Sequence, residues 1–196
     1  LRGGLAEVVR RGPLRRVTLL TVLAAVELGA LPVVAVRFGA ELHGTAAAGA
    51  TLTVSYGAGS LLGSAMVTAW PLRGEPEVLA TRLFAAMAAA TAMSAFAPAY
   101  AVAIAGFAAL GVLNAMSFTA TLSARGTYAP ANAQAQVFVT SAGLKVTSAA
   151  AGAALAGAAS GLGGRALLLA AAAATGLAVV AAWVDGKLAP AFVPTR

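Results

Sequence analysis

Between Leu83 and Ala124 the chain runs for 42 residues without one charged side chain. As a single helix this stretch would be about 63 Å long, twice the roughly 30 Å hydrocarbon core of a bilayer. It therefore divides into two spans. Pro98, in Phe96-Ala97-Pro98-Ala99-Tyr100, marks the bend, because proline removes a backbone donor and turns the preceding residue away from helix. The rest of the chain has the same character. Of 196 residues, 60% are hydrophobic and 10% charged, against about 25% charged in a typical soluble domain. Too few polar groups remain to cover a water-facing surface, so the apolar excess must face lipid.

Reading each apolar run as a membrane helix of about 20 residues predicts an all-α polytopic fold with six transmembrane helices over 17–185. The spans fall at about 17–37, 46–70, 79–97, 100–123, 134–159 and 166–184. Glu27 and Pro32 interrupt the first, and Lys145 lies inside the fifth. Short polar breaks separate them: Arg37 to Gly44, Pro71 to Glu77, Arg125-Gly126 through Pro130-Ala131-Asn132, and Gly161 to Arg165. A basic linker at 1–16 precedes the domain and a tail at 186–196 follows it. With the N-terminus inside, ten Lys/Arg fall on inner segments and two, Arg37 and Arg165, on outer ones. That bias obeys the positive-inside rule and places both termini in the cytoplasm of a multi-pass protein of the cell's inner membrane. The first sixteen residues are basic rather than apolar, so no signal peptide is expected there. Because the chain begins at Leu1, an upstream part is expected.

The net charge of +7 does not imply nucleic acid, since the cations are scattered singly among apolar runs with no basic stripe to track phosphates. The lipid bilayer is the expected partner. The chain has no cysteine and one histidine, His43, which argues against disulfides, thiolate metal sites and a histidine cluster; no cofactor or metal is expected. A serine-type intramembrane protease needs a buried serine and histidine that meet, but His43 reads as a loop residue. An aspartyl type needs two membrane aspartates, and Asp185 is the only one. The chain is not expected to be an enzyme.

Gly12-Pro13-Leu14-Arg15-Arg16-Val17-Thr18-Leu19-Leu20, Gly59-Ser60-Leu61-Leu62-Gly63 followed by Ala69-Trp70-Pro71, and Ala131-Asn132-Ala133-Gln134-Ala135-Gln136-Val137-Phe138 through Gly152-Ala153-Ala154-Leu155-Ala156-Gly157 resemble stretches of one known family. They are similar to the start of the seventh helix, the 8–9 loop, and the 10–11 loop with the eleventh helix of the major facilitator superfamily, especially its actinobacterial efflux-type members. The resemblance spans nearly the whole chain and implies the C-terminal six-helix half of a twelve-helix transporter, made of two three-helix repeats. One departure concerns the family's charged 8–9 loop motif. Its counterpart would begin at Gly63, but Val67 stands at the acidic position and Thr68 at the basic one.

Several residues stand out as candidates for a site. Glu27 lies about 15 Å into the first span by helix rise, where an ionised carboxylate must face a cavity, find a partner or take up a proton. It is the candidate proton-coupling group, or else a protonated packing residue. Lys145 lies at comparable depth with Ser141, Ser148 and Gly152 on its face. It is expected to offset Glu27, to bind an anionic substrate group, or to pair with the absent half. Pro32 should kink the first span. Asn114, Ser117 and Thr121 share one face of the fourth span, which the resemblance makes a cavity-lining helix. They are candidates for substrate contact, with interhelical hydrogen bonding as the alternative; Tyr56 and Ser60 are similar in kind. Gly59-x-x-x-Gly63 and Gly157-x-x-x-Gly161 have the spacing that lets helix backbones approach closely. Arg37 and Glu41 read as a local i, i+4 pair.

The expected function is secondary active transport of a small organic solute; the resemblance implies that it runs outward and is driven by a proton gradient. The substrate path would run between this half and a missing N-terminal half. Two alternatives remain: a non-transporting six-helix protein or truncated product acting as an assembly partner, and a half-size carrier that homodimerises.

Overall fold

Pro13 sits in the first turn of a helix that continues unbroken to His43 and stops at Gly44, whose φ of 73° few other residues adopt. This helix organises the molecule. A computed structural model describes residues 2–45 and 47–188. Its helices are α1 (Arg2–Arg10), α2 (Gly12–His43), α3 (Ala47–Ala69), α4 (Pro76–Ala95), α5 (Tyr100–Tyr128), α6 (Gln134–Ala158) and α7 (Gly164–Leu188), with a 3-10 turn at Ser160–Leu162 before α7. No strand occurs among the described residues. Five helices, α2, α4, α5, α6 and α7, are long and apolar enough to cross a membrane. The chain is thus an all-helical, multi-pass membrane protein.

The remaining long helix, α3, has 23 residues and no charge, about 35 Å of rise. Its glycines, serines and threonines hold its hydropathy down. Several of those hydroxyls turn back onto their own helix: Thr53 donates to the Gly49 carbonyl at 3.0 Å, Ser64 to Ser60 at 2.9 Å and Thr68 to Ser64 at 2.9 Å, while Ser60 donates across to the Gly111 carbonyl of α5 at 3.2 Å. A hydroxyl satisfied in this way exposes little unmet polarity to its surroundings.

The breaks fall where the local chemistry requires them. Pro98 separates α4 from α5, and Pro71, Gly74 and Pro76 separate α3 from α4. Three boundaries differ from the expectation. Much of the stretch read as a linker at 1–16 is helical: α1 packs Val8 against Leu14 and Val137, and α2 begins at Gly12. The break read at Arg125-Gly126 is helical as far as Tyr128, because a single glycine near a helix end is tolerated and Pro130 supplies the stop. His43 ends α2 rather than lying in a loop, and its ring stacks on Tyr100 with centroids 4.7 Å apart. Ala46 and the tail from residue 189 onward, including Arg196, lie outside the described residues.

Within the bundle α2 packs on α3, α5, α6 and α7, and more lightly on α4. The crossings repeat. On the α2–α6 side, a Cβ added to Gly29 would overlap the Ala149 carbonyl, and one added to Gly152 would overlap the Val26 carbonyl. On the α5–α3 side, Gly111 stands in the same relation to Tyr56, and Gly59 to Ala108. In both crossings each helix offers a glycine to a carbonyl three residues before its partner's glycine. The two three-helix segments, α2–α3–α4 and α5–α6–α7, are therefore interlocked: the middle helix of each packs on the first helix of the other. α4 and α7 complete the arrangement against each other. Gly63 continues the α3–α5 contact against Val112 and Ala115, whereas Gly157 and Gly161 face open space. The second small-residue motif is thus not a packing surface within this chain.

Candidate functional site

Glu27 lies at the midpoint of α2 and is 2% exposed. Thr175 of α7 hydrogen-bonds Oε2 of its carboxyl, and Thr91 of α4 hydrogen-bonds Oε1. One carboxyl thereby joins three helices. The Thr91 hydroxyl also lies 3.0 Å from the Met87 carbonyl, and a threonine has one proton to donate. With the carboxyl protonated, Glu27 donates to Thr91, Thr91 donates to Met87, and Thr175 donates to Glu27, so each acceptor is served. With the carboxyl ionised, one acceptor of Thr91 goes unserved. No cation pairs with Glu27 among the described residues. Tyr56 touches both large apolar clusters of the core.

A cavity of about 220 Å³ opens beside Glu27, lined by Val26, Ala30, Val34, Ala156, Leu167 and Ala171 among others. Its walls come from α2, α6 and α7. Both α6 and α7 lie against α2 without packing extensively on each other, and alanines on their facing sides leave the space unfilled. Glu27 is the only charged group on a wall that is otherwise apolar.

No protein-family model, curated protein or solved structure matches this chain.

The expected pairing of Lys145 with Glu27 does not form. Lys145 lies over the Phe118 ring, with Nζ 4.7 Å from its centroid, and lines a second, smaller cavity with Thr21, Asn114, Ser117 and Thr121. The face predicted on α5 thus exists and turns toward Lys145. Pro32 is exposed within an unbroken α2. Arg37 and Glu41 do not pair either: Glu41 Oε1 accepts the backbone N–H of Gly164, capping the start of α7, where free amides attract a carboxylate.

Sequence reasoning missed three residues inside the bundle. Thr91 and Thr175 hold Glu27. Arg125, counted among the inner loop charges, is 5% exposed within the bundle, and its Nη2 donates to Thr21 Oγ1 at 2.9 Å. A second omission lies at one end of the bundle, where Arg16 bonds Glu77 through Nε at 2.5 Å and Nη2 at 3.0 Å. Asp185 accepts from Arg15 at 2.6 Å and from Arg16 at 3.3 Å. These ion pairs join the starts of α2 and α4 to the end of α7. An arginine too far from an acid in sequence to suggest a local pair gives little advance signal of such a link.

Proposed function

We propose that this chain is one six-helix half of a secondary transporter built on the plan of the major facilitator superfamily, moving a small organic solute outward in exchange for protons. The observation that carries this reading is Glu27: a carboxyl at mid-helix, held by two hydroxyls, free of any cation and open to a cavity. A fixed ion pair would hold one charge state permanently. A carboxyl with neutral partners exchanges its proton at the cost of one hydrogen bond, as a coupling group requires.

Further support comes from the interlocked three-helix segments. With α3 taken as a sixth span, α2 and α5 run in opposite directions through the membrane, and the repeated glycine crossings then match what an inverted pair of segments requires. With the buried Arg125 set aside, nine inner cations against two outer ones favour both termini in the cytoplasm of an inner-membrane protein. On this reading a second, N-terminal half completes the substrate path, and the halves rock about a site near the midplane.

The test is Glu27→Gln in the complete protein, reconstituted in vesicles with an imposed pH gradient. Gradient-driven flux should disappear while insertion stays normal. Undiminished flux in the variant would remove Glu27 from the mechanism.

A further inference from the structure

We infer that the α2–α5–α6 side of the bundle holds a binding site for a small monovalent anion, chloride or the carboxylate of an organic acid, between Lys145 and Arg125. This site is separate from Glu27 and does not depend on the transport reading.

Most other buried or half-buried charges have partners in this chain. Arg16 has Glu77 and Asp185, Arg15 has Asp185, Arg11 has Glu7, and Glu41 has the Gly164 amide. Arg125 and Lys145 are the buried and half-buried cations with no carboxylate partner among the described residues. Arg125 reaches the cavity through Thr21, to whose hydroxyl it donates at 2.9 Å and which lines the cavity together with Lys145. Cations drawn out of water are costly without a counter-charge.

The surrounding hydroxyls determine which sign of ligand fits. Thr21 donates its proton to the Val17 carbonyl at 2.7 Å and Thr121 donates to Phe118 at 2.8 Å. Ser117 Oγ, 1% exposed and lining the cavity, has no partner, and neither does the buried Nε of Arg125. Ser141 Oγ, one turn before Lys145 on α6, is also buried and unpartnered. The Asn114 amide lines the same space. The unsatisfied groups are donors and cations, and no acid stands among them. Buried donors without acceptors are uncommon in folded proteins, and charge-assisted hydrogen bonds to an anion would satisfy them together. The cavity is small, about 10 Å³, room for about one water-sized group. A chloride or the end of a carboxylate fits once the half-buried Lys145 stem, which forms the movable side, swings outward.

The test uses the purified chain in lipid nanodiscs in sodium HEPES, a bulky sulfonate with no carboxylate, at fixed ionic strength, titrated with chloride and separately with acetate. Calorimetric binding and the unfolding midpoint are the readouts. Binding should saturate and raise the midpoint as the ligand fills the folded state. Lys145→Gln and Arg125→Gln should each weaken it at least tenfold. Ser117→Ala should weaken it several-fold with an unchanged midpoint in HEPES alone, which keeps the test decisive if Arg125→Gln fails to fold. Arg37→Gln, which removes a distant cation, should bind as the parent does. Tighter chloride assigns the site to the inorganic ion and tighter acetate to a carboxylate ligand; either supports the inference. It is overturned if neither anion gives saturable binding below about 100 mM, or if Lys145→Gln and Ser117→Ala bind like the parent.

Discussion

Replacing Thr175 by valine keeps the shape of the side chain and leaves one oxygen of Glu27 without its donor. A buried acceptor stripped of its partner costs about 1–3 kcal/mol. Thr175→Val should therefore lower the unfolding free energy in detergent by that amount, while Thr175→Ser restores most of it. Equal midpoints for the valine variant and the parent would show that the bond contributes nothing. Glu27 was legible in the sequence because a lone acid inside a 20-residue apolar run is conspicuous. Its partners were not. Thr53 and Thr68 bond back to their own helices, while Thr175 reaches across to another, and in the sequence all three are single hydroxyls among apolar neighbours. Lys145 was legible as an anomaly, but its pairing was not, because depth along a helix does not say which way a side chain points.

Helices were the most readable level. Pro98, the 71–76 turn and the Gly44 stop follow from turn chemistry, and the long helices lie close to the apolar runs. Contacts between helices were read less well. Gly59-x-x-x-Gly63 and Gly157-x-x-x-Gly161 have identical spacing, yet the first packs on α5 and the second faces open space. Spacing shows where a helix lacks side chains, not which faces meet. Gly152→Leu should drive α6 off the Val26 carbonyl, because backbone, unlike a flexible side chain, cannot yield; loss of the folded monomer on size-exclusion chromatography is the expected result. Gly143, inside α6 with nothing near its missing Cβ, gives the contrasting case. Gly143→Ala should stabilise the chain by roughly 0.5–1 kcal/mol through helix propensity alone. If both variants behaved alike, the α2–α6 crossing would not depend on its glycine.

For the whole molecule, the charge pattern carries a prediction about sidedness. The sequence has no cysteine, so single introduced cysteines report their own positions without background. Arg73→Cys and Ala131→Cys should react with an impermeant thiol reagent only after the cytoplasmic face is opened. Thr45→Cys and Ser160→Cys should react in intact cells. Labelling of all four from one side would exclude the alternating path of six spans. The ion pairs joining Arg15, Arg16, Glu77 and Asp185 gather three helix ends near the 71–76 turn, on the face that Arg73→Cys reports.

The interlocked segments also bear on how the chain is made. Gly29 on α2 waits for α6, and Glu27 waits for Thr175, which follows it by 148 residues. At the usual synthesis rate of about 5–20 residues per second, that interval lasts roughly 7–30 s. Thr91 reaches Glu27 after 64 residues, but until α6 and α7 follow, α2 carries a half-satisfied acid and a bare backbone groove. A nascent chain in that condition invites capture by insertion chaperones or by stray helices, and this bundle cannot settle until α7 leaves the ribosome.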